Sequence, residues 1–166
     1  MQKQFKYIIP VGIILLLLKP KKMSAATVIA RHEGLRLNAY QDSGGIWTIG
    51  YGSIYNHDAK RPVRQGDRIT RAKAIEWLQK DTKSAESAVK RLVKVPLTAN
   101  QRIALTSLVY NIGSGAFARS TILRMLNSKT PKNQVAMQFL RWVNVQGQPV
   151  QGLINRRRDE MQLFLS

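Results

Sequence analysis

From Thr70 to Phe164 the apolar residues recur at helical spacing, and only breaks bearing proline or glycine interrupt them. Those breaks fall at Pro96, at Gly113 to Gly115, at Pro131 and from Gln146 to Gly152. Thr70 to Gln79 carries Ala72, Ile75, Trp77 and Leu78. Further apolar stripes lie on Thr98 to Ile112, Thr121 to Asn127, Asn133 to Val143 and Leu153 to Phe164. Helices joined by short connections hide such stripes against one another, so this half reads as an all-helical lobe. Ahead of it the pattern changes. Ser24 to Gly34 reads as a helix with Ser24 as N-cap and Gly34 as its stop. Residues around Tyr40 and from Ile46 to Ile49 suit two strands across a Ser43-Gly44-Gly45 turn, and Asn56 to Gly66 reads as polar surface loop. With 166 residues the chain is too short for two independent domains. The expectation is an α+β, mostly helical, two-lobed domain over residues 23–166. A small lobe with a β-hairpin occupies about 24–69, and a helical lobe about 70–166, with a ligand cleft between them.

The first 22 residues stand apart. Tyr7 to Leu18 is an uninterrupted apolar run of 12 residues, preceded by Lys3 and Lys6 and followed by Lys19, Lys21 and Lys22. As a helix it covers roughly 18 Å, short of the ~30 Å hydrocarbon core, and its length suits a signal-peptide core better than a stable span. The Lys-Pro-Lys-Lys that follows argues against signal cleavage, whereas flanking lysines can snorkel and hold a short helix as a shallow anchor. We read the segment as targeting or anchoring. The whole chain carries 27 basic and 9 acidic residues, a net charge of +18. Such a charge points to a polyanionic partner: nucleic acid, anionic lipid or a cell-wall polymer. No cysteine is present, which excludes disulfides, thiol catalysis and cysteine-ligated zinc, and the two histidines do not form a metal-binding pair. No metal or cofactor is expected.

Carboxylates are scarce, so the few in the small lobe are informative. Between Met1 and His57 there are two, Glu33 and Asp42. Glu33 ends its predicted helix, where the dipole disfavours negative charge and so favours the protonated form that a general acid needs. Asp42 sits beside a glycine-rich turn, more exposed and ionised. Two carboxyl groups whose surroundings push their proton affinities apart are the requirement for hydrolysing a glycosidic bond. On the following strand Trp47 and Ile49 point to one face and Thr48 to the other, so the Thr48 hydroxyl looks toward the cleft and Asp42. By contrast Trp77, Phe139 and Trp142 read as core rather than sugar platforms, and His32 as a surface or hydrogen-bonded residue rather than a ligand.

Glu33, eight residues, Asp42, five residues and Thr48, set in HEGLRLNAYQDSGGIWTIGYGS, resemble the catalytic signature of the phage-type lysozymes, glycoside hydrolase family 24. LTANQRIALTSLVYNIGSGAFARSTILRMLN, FLRWVN and GLINRRRDEMQLFL extend the likeness from Ser24 to the C-terminus. The resemblance implies a lysozyme-like fold and cleavage of the β-1,4 bond between N-acetylmuramic acid and N-acetylglucosamine in peptidoglycan. By it, Glu33 is the proton donor, Asp42 the second carboxylate and Thr48 the residue that positions water. Sugar contacts fall to Ile54, Tyr110, Asn111 and Ser120, and a C-terminal arginine, Arg156 or Arg157, pairs with Glu33. Ser53 departs from the pattern, standing where many members place a histidine. The apolar segment resembles the signal-anchor-release segments of some endolysins, which hold the enzyme at the inner membrane until it enters the periplasm. Export with the signal removed and retention in the cytoplasm until a membrane lesion forms are the alternatives. A nucleic-acid-binding module would explain the charge but neither the apolar run nor the acid pair, and no nucleic acid is expected. A cationic membrane-disrupting protein would stay lytic after Glu33→Gln. A lytic transglycosylase needs one acid and leaves Asp42 and Thr48 without a task. The expected protein is monomeric.

Overall fold

The computed structural model describes residues 23–42 and 44–166. The apolar run and the expected anchor lie outside them. Helix α1 (Ala25–Glu33) starts where the Ser24 hydroxyl accepts from Thr27 N at 3.2 Å. It ends at Gly34, whose positive φ of 67° suits glycine. Strands β1 (Arg36–Gln41) and β2 (Trp47–Gly50) pair antiparallel with Tyr40 opposite Thr48 and Gln41 opposite Trp47. A second hairpin follows, β3 (Tyr55–Asn56) with β4 (Arg61–Pro62). The stretch expected to be plain loop is therefore paired. Its signal is a side-chain knot rather than apolar alternation. Arg61 donates to both oxygens of Asp67, at 2.8 and 2.9 Å, and Arg64 N donates to Asp67 Oδ2 at 3.0 Å.

That bidentate arginine holds the Asp67 carboxyl well below the usual carboxylate range. A depressed folded-state value contributes stability above the unfolded value of about 3.9, and that stability is lost as pH falls through the folded one. Asp67→Asn therefore lowers the thermal midpoint at pH 7, and the gap to the parent closes progressively as pH drops below about 4. Calorimetry across pH 2–7 checks the sign.

Helix α2 (Arg71–Leu92) runs well beyond the stripe read from Thr70 to Gln79. Its later buried face is Thr82, Ala85, Ala88 and Val89, small residues that weigh little in a count of bulky apolar groups. Ile75, expected on that stripe, is exposed. Helix α3 (Ala99–Ile112) opens with a reciprocal cap between Thr98 and Gln101, at 3.1 and 2.9 Å. It buries six consecutive residues from Ala104 to Val109, the mark of a helix surrounded on all sides. Short helices α4 (Ser114–Ala118), α5 (Thr121–Asn127) and α6 (Lys132–Met137) follow, with a 3-10 turn at Gln138–Arg141. The helical lobe is not wholly helical, because β5 (Asn144–Val145) and β6 (Gln148–Pro149) form a small hairpin before α7 (Gln151–Leu165). Gln146 and Gly147, both at positive φ, make its turn.

The main core gathers Leu105, Leu108, Phe117, Ile122, Phe139 and Phe164 from α3 to α7. Each such side chain, fully buried, contributes about 1.5–3 kcal/mol. Two smaller clusters join the N-terminal elements to it. Ala25 and Ile29 pack on Leu78, while Ile49 and Val63 pack on Trp77. The second of these is the inward face of β2 anticipated from Trp47 and Ile49, and it leaves Thr48 on the other side. Trp77 and Phe139 are core, as expected. Trp142 packs against the core and also borders the cleft.

Candidate active site

Glu33 reaches the cleft because α1 ends on it and packs against α3. Asp42 is held by its own turn: Oδ1 accepts from Gly44 N at 2.9 Å and from Ile46 N at 2.8 Å. Among the described residues Oδ2 makes no hydrogen bond, so one oxygen is anchored and the other has no partner. Thr48 is 4% exposed, and its hydroxyl donates to Ile46 O at 3.0 Å. All three side chains line one groove. One arm, of about 320 Å³, is bordered by Glu33, Tyr40, Asp42, Thr48, Gly52, Ile54, Tyr110 and Asn111. The other arm, of about 550 Å³, shares Glu33, Asp42 and Asn111 and adds His32, Arg141, Trp142, Asn144 and Arg156. The two acids thus stand at the junction of a continuous trench.

Arg156 is the arginine behind Glu33. Its Nη1 donates to Glu33 Oε1 at 2.5 Å, Nε donates to Glu160 Oε1 at 3.0 Å, and Nη2 donates to Ser107 O at 3.1 Å. Ser107 Oγ in turn donates to Glu160 Oε1 at 2.6 Å. Arg157 turns elsewhere: Nη2 donates to Asn111 Oδ1 at 2.8 Å, and Nη1 lies 3.3 Å from Glu160 Oε2. Both arginines are buried, at 3% and 0% exposure, and Glu160 is 0% exposed. Only Arg158 of the triplet stays on the surface. Burial alone would depress Arg156, but Glu33 and Glu160 outweigh it and hold the guanidinium above its ordinary value. Burial brings Arg157 down to about 10, opposed by Glu160. Burial, and Arg156 after it, also lower His32, whose Nε2 is 3.8 Å from Asp159 Oδ2.

The glycine turn after β2 completes the trench. Ile49 and Ser53 exchange two backbone hydrogen bonds of 2.9 Å around Gly50, Tyr51 and Gly52. Tyr110 Oη donates to Tyr51 O at 2.7 Å and pins that turn to α3. At Gly52 (φ +86°) an added Cβ would stand 2.7 Å from Glu33 Oε2. Gly52→Ala therefore strains the backbone and pushes the carboxyl off its place. Activity falls about 10–100-fold with a loss of roughly 1–3 kcal/mol, read from initial rates and a denaturant titration.

Of the expected sugar contacts, Ile54, Tyr110 and Asn111 line the trench and Ser120 does not. Ser120 is 7% exposed, and its hydroxyl is engaged as the cap of α5, accepting from Leu123 N at 3.1 Å and donating to Phe117 O at 2.7 Å. Ser53, where the expected histidine is absent, is buried and donates its hydroxyl to Tyr55 O at 3.0 Å. His57 Nε2 donates to Asp81 Oδ1 at 2.7 Å, and its ring packs edge-on against Tyr55 and Trp77. Sequence reasoning missed Glu160, Ser107, Gly52 and Tyr40. For Glu160 a signal existed, since it lies four and three residues after Arg156 and Arg157, the helical spacing for ion pairs.

Comparison with known proteins gives this geometry a lineage. The chain is 46% identical over 140 residues to an endolysin of Salmonella phage P22, covering 84% of this chain and 94% of that protein. It is 34% identical over 132 residues to a SAR-endolysin of Escherichia phage Mu, covering 80% and 73%. The muramidase domain of SpmX from Asticaccaulis excentricus superposes with a TM-score of 0.73 at 36% identity, covering 86% of this chain and 95% of that one. Residues 30–160 match the family described as Phage lysozyme. A match that runs from before Glu33 to Glu160, through both groove acids and the arginine behind them, means that the chain belongs to the phage lysozyme family.

Proposed function

We propose that the chain is an endolysin of the muramidase type, hydrolysing the β-1,4 bond between N-acetylmuramic acid and N-acetylglucosamine in peptidoglycan and so lysing the cell. The observation that carries this reading is that Glu33 and Asp42 share one trench, from a helix end and a hairpin turn. Glu33 donates its proton to the glycosidic oxygen as the bond breaks. Asp42, anchored in its turn through one oxygen, stabilises the oxocarbenium-like sugar with the other, and Thr48 holds water beside it. Arg156 orients Glu33, and because Glu160 shares that arginine, its charge is not spent on Glu33 alone. The test is product chemistry on purified peptidoglycan. Hydrolysis leaves reducing N-acetylmuramic acid ends, seen by mass spectrometry after borohydride reduction, and anhydromuramic ends would overturn the assignment.

The basic, apolar first 22 residues support a further part of the reading: the enzyme is held at the inner membrane by residues 7–18 and then released to the periplasm, acting as a monomer. Among the described residues no helix is long and apolar enough to cross a membrane. The relatives named SAR-endolysin support the same view. Cell fractionation of the full chain against residues 23–166 decides it. The full chain is expected in the membrane fraction before lysis and the shortened one in the soluble fraction. Equal soluble fractions would remove the anchor.

A further inference from the structure

At the far end of α3 from the trench, the connection between α2 and α3 reads Val93-Lys94-Val95-Pro96-Leu97. Surface connections are ordinarily polar, yet this one keeps Val95 and Leu97 half-buried and Pro96 exposed. Asn127 at the end of α5 holds it in place, accepting from Lys94 N at 2.8 Å and donating to Leu92 O at 3.0 Å. Together with Val89 the connection encloses a pocket of about 290 Å³, whose two charged lining residues are Lys90 and Arg102. We propose that this corner of the helical lobe docks on anionic phospholipid of a membrane surface, Lys90 and Arg102 taking the headgroup phosphate and the pocket taking an acyl segment.

The fold does not account for the charges at this corner. Nearer the start of α2, Lys73 and Lys80 are paired with Asp58 and Glu76. Lys90, Arg91, Lys94 and Arg102 are all exposed, and none has a carboxylate partner among the described residues. Glu86, one turn before Lys90, forms no ion pair with it. The dipole of α2 favours cations in its last turn, which covers Lys90 and Arg91. Arg102 is the reverse case. It is the fourth residue of α3, where the helix dipole disfavours positive charge. A cation kept there against the dipole, beside an aliphatic pocket, points to an anion from outside.

The rest of the lining selects the kind of anion. Val89, Val93, Val95, Pro96 and Leu97 are aliphatic, and no aromatic residue lines the pocket. Single-stranded nucleic acid needs aromatic platforms for its bases, and a contact made to phosphate alone has no use for an aliphatic pocket. The chain's own apolar run is bounded by lysines that Lys90 and Arg102 repel, and a second copy brings the same positive charge. An anionic phospholipid supplies both halves, phosphate for the cations and hydrocarbon for the pocket. Arg102 lies eight residues before Tyr110, about 12 Å along α3 from the trench wall, which makes this a site separate from the catalytic groove. It is also separate from the anchor proposed for residues 7–18 and does not depend on it.

The test uses the full chain and dihexanoyl phosphatidylglycerol below its micelle concentration, with dihexanoyl phosphatidylcholine and glycerol phosphate alongside. Methyl NMR locates the binding, and the titration gives Kd. Phosphatidylglycerol is expected to shift the methyls of Val89, Val93, Val95 and Leu97 and to bind about tenfold more tightly than either of the other two. Lys90→Gln combined with Arg102→Gln, both exposed, is expected to weaken it about tenfold. Arg64→Gln combined with Arg68→Gln, an equal loss of charge from exposed positions on the small lobe, is expected to leave it unchanged. Several results would overturn the proposal: equal affinity for phosphatidylcholine, glycerol phosphate binding as tightly as the lipid, shifts confined to the first 22 residues, or equal losses in the two double variants. None of them bears on muramidase activity.

Discussion

Glu33→Gln is expected to lower peptidoglycan hydrolysis by at least about 10³-fold while leaving the fold intact. Glutamine keeps the volume, and its carbonyl oxygen can still accept from Arg156 Nη1, which now contacts Glu33 Oε1. Arg156 also keeps Glu160 and Ser107 O as partners, so no buried guanidinium is orphaned. What is lost is the proton. A positioned general acid supplies about 10²–10⁴-fold, and its absence leaves an unprotonated sugar oxygen as leaving group. Side-by-side turbidity loss of a peptidoglycan suspension and thermal melts separate chemistry from folding. A variant that melts like the parent and keeps more than a tenth of its rate would show that Glu33 is not the acid. Asp42 offers a matching control. Asparagine there can still accept from Gly44 N and Ile46 N, so a large rate loss in Asp42→Asn reports charge rather than a broken turn.

The placement of Glu33, Asp42 and Thr48 on one groove is legible in the sequence because each position follows from local rules, while the roles proposed for them come from the family resemblance. A glycine ends α1 after Glu33, a glycine-rich turn follows Asp42, and strand alternation sends Thr48 away from Trp47 and Ile49. What was not legible depends on contacts far apart in the chain. The choice between Arg156 and Arg157 turns on a helix phase of 100° against partners 123 and 46 residues distant, Glu33 and Asn111. The cap role of Ser120 is a competition between sugar and backbone for one hydroxyl, which spacing cannot settle. The β5–β6 hairpin, two residues a side, has too little alternation to stand out beside the helices that flank it. Gly52 is intelligible only once Glu33 is seen against it.

Removing Glu160 is expected to have the largest effect on stability. Glu160→Leu leaves Arg156 with Glu33 as its one carboxylate partner and Arg157 with none among the described residues. Both guanidiniums are buried, so water cannot replace the lost charge. Ser107 also loses the acceptor of its 2.6 Å hydrogen bond. Breaking a buried pair from one side costs about 3–5 kcal/mol, because the desolvation of the surviving ion goes uncompensated. For a chain of this size that lowers the thermal midpoint by roughly 6–20 °C. The consequence reaches the trench. With Glu160 gone, the Arg156 guanidinium behind Glu33 loses the carboxylate that fixes its Nε and is held less firmly against the groove. Activity of the folded fraction is therefore expected to fall as well, about 10-fold. Rates measured well below the variant's melting temperature separate this from instability, and a folded fraction with the parent's rate would mean that Glu160 supports the fold and not the placement of Glu33.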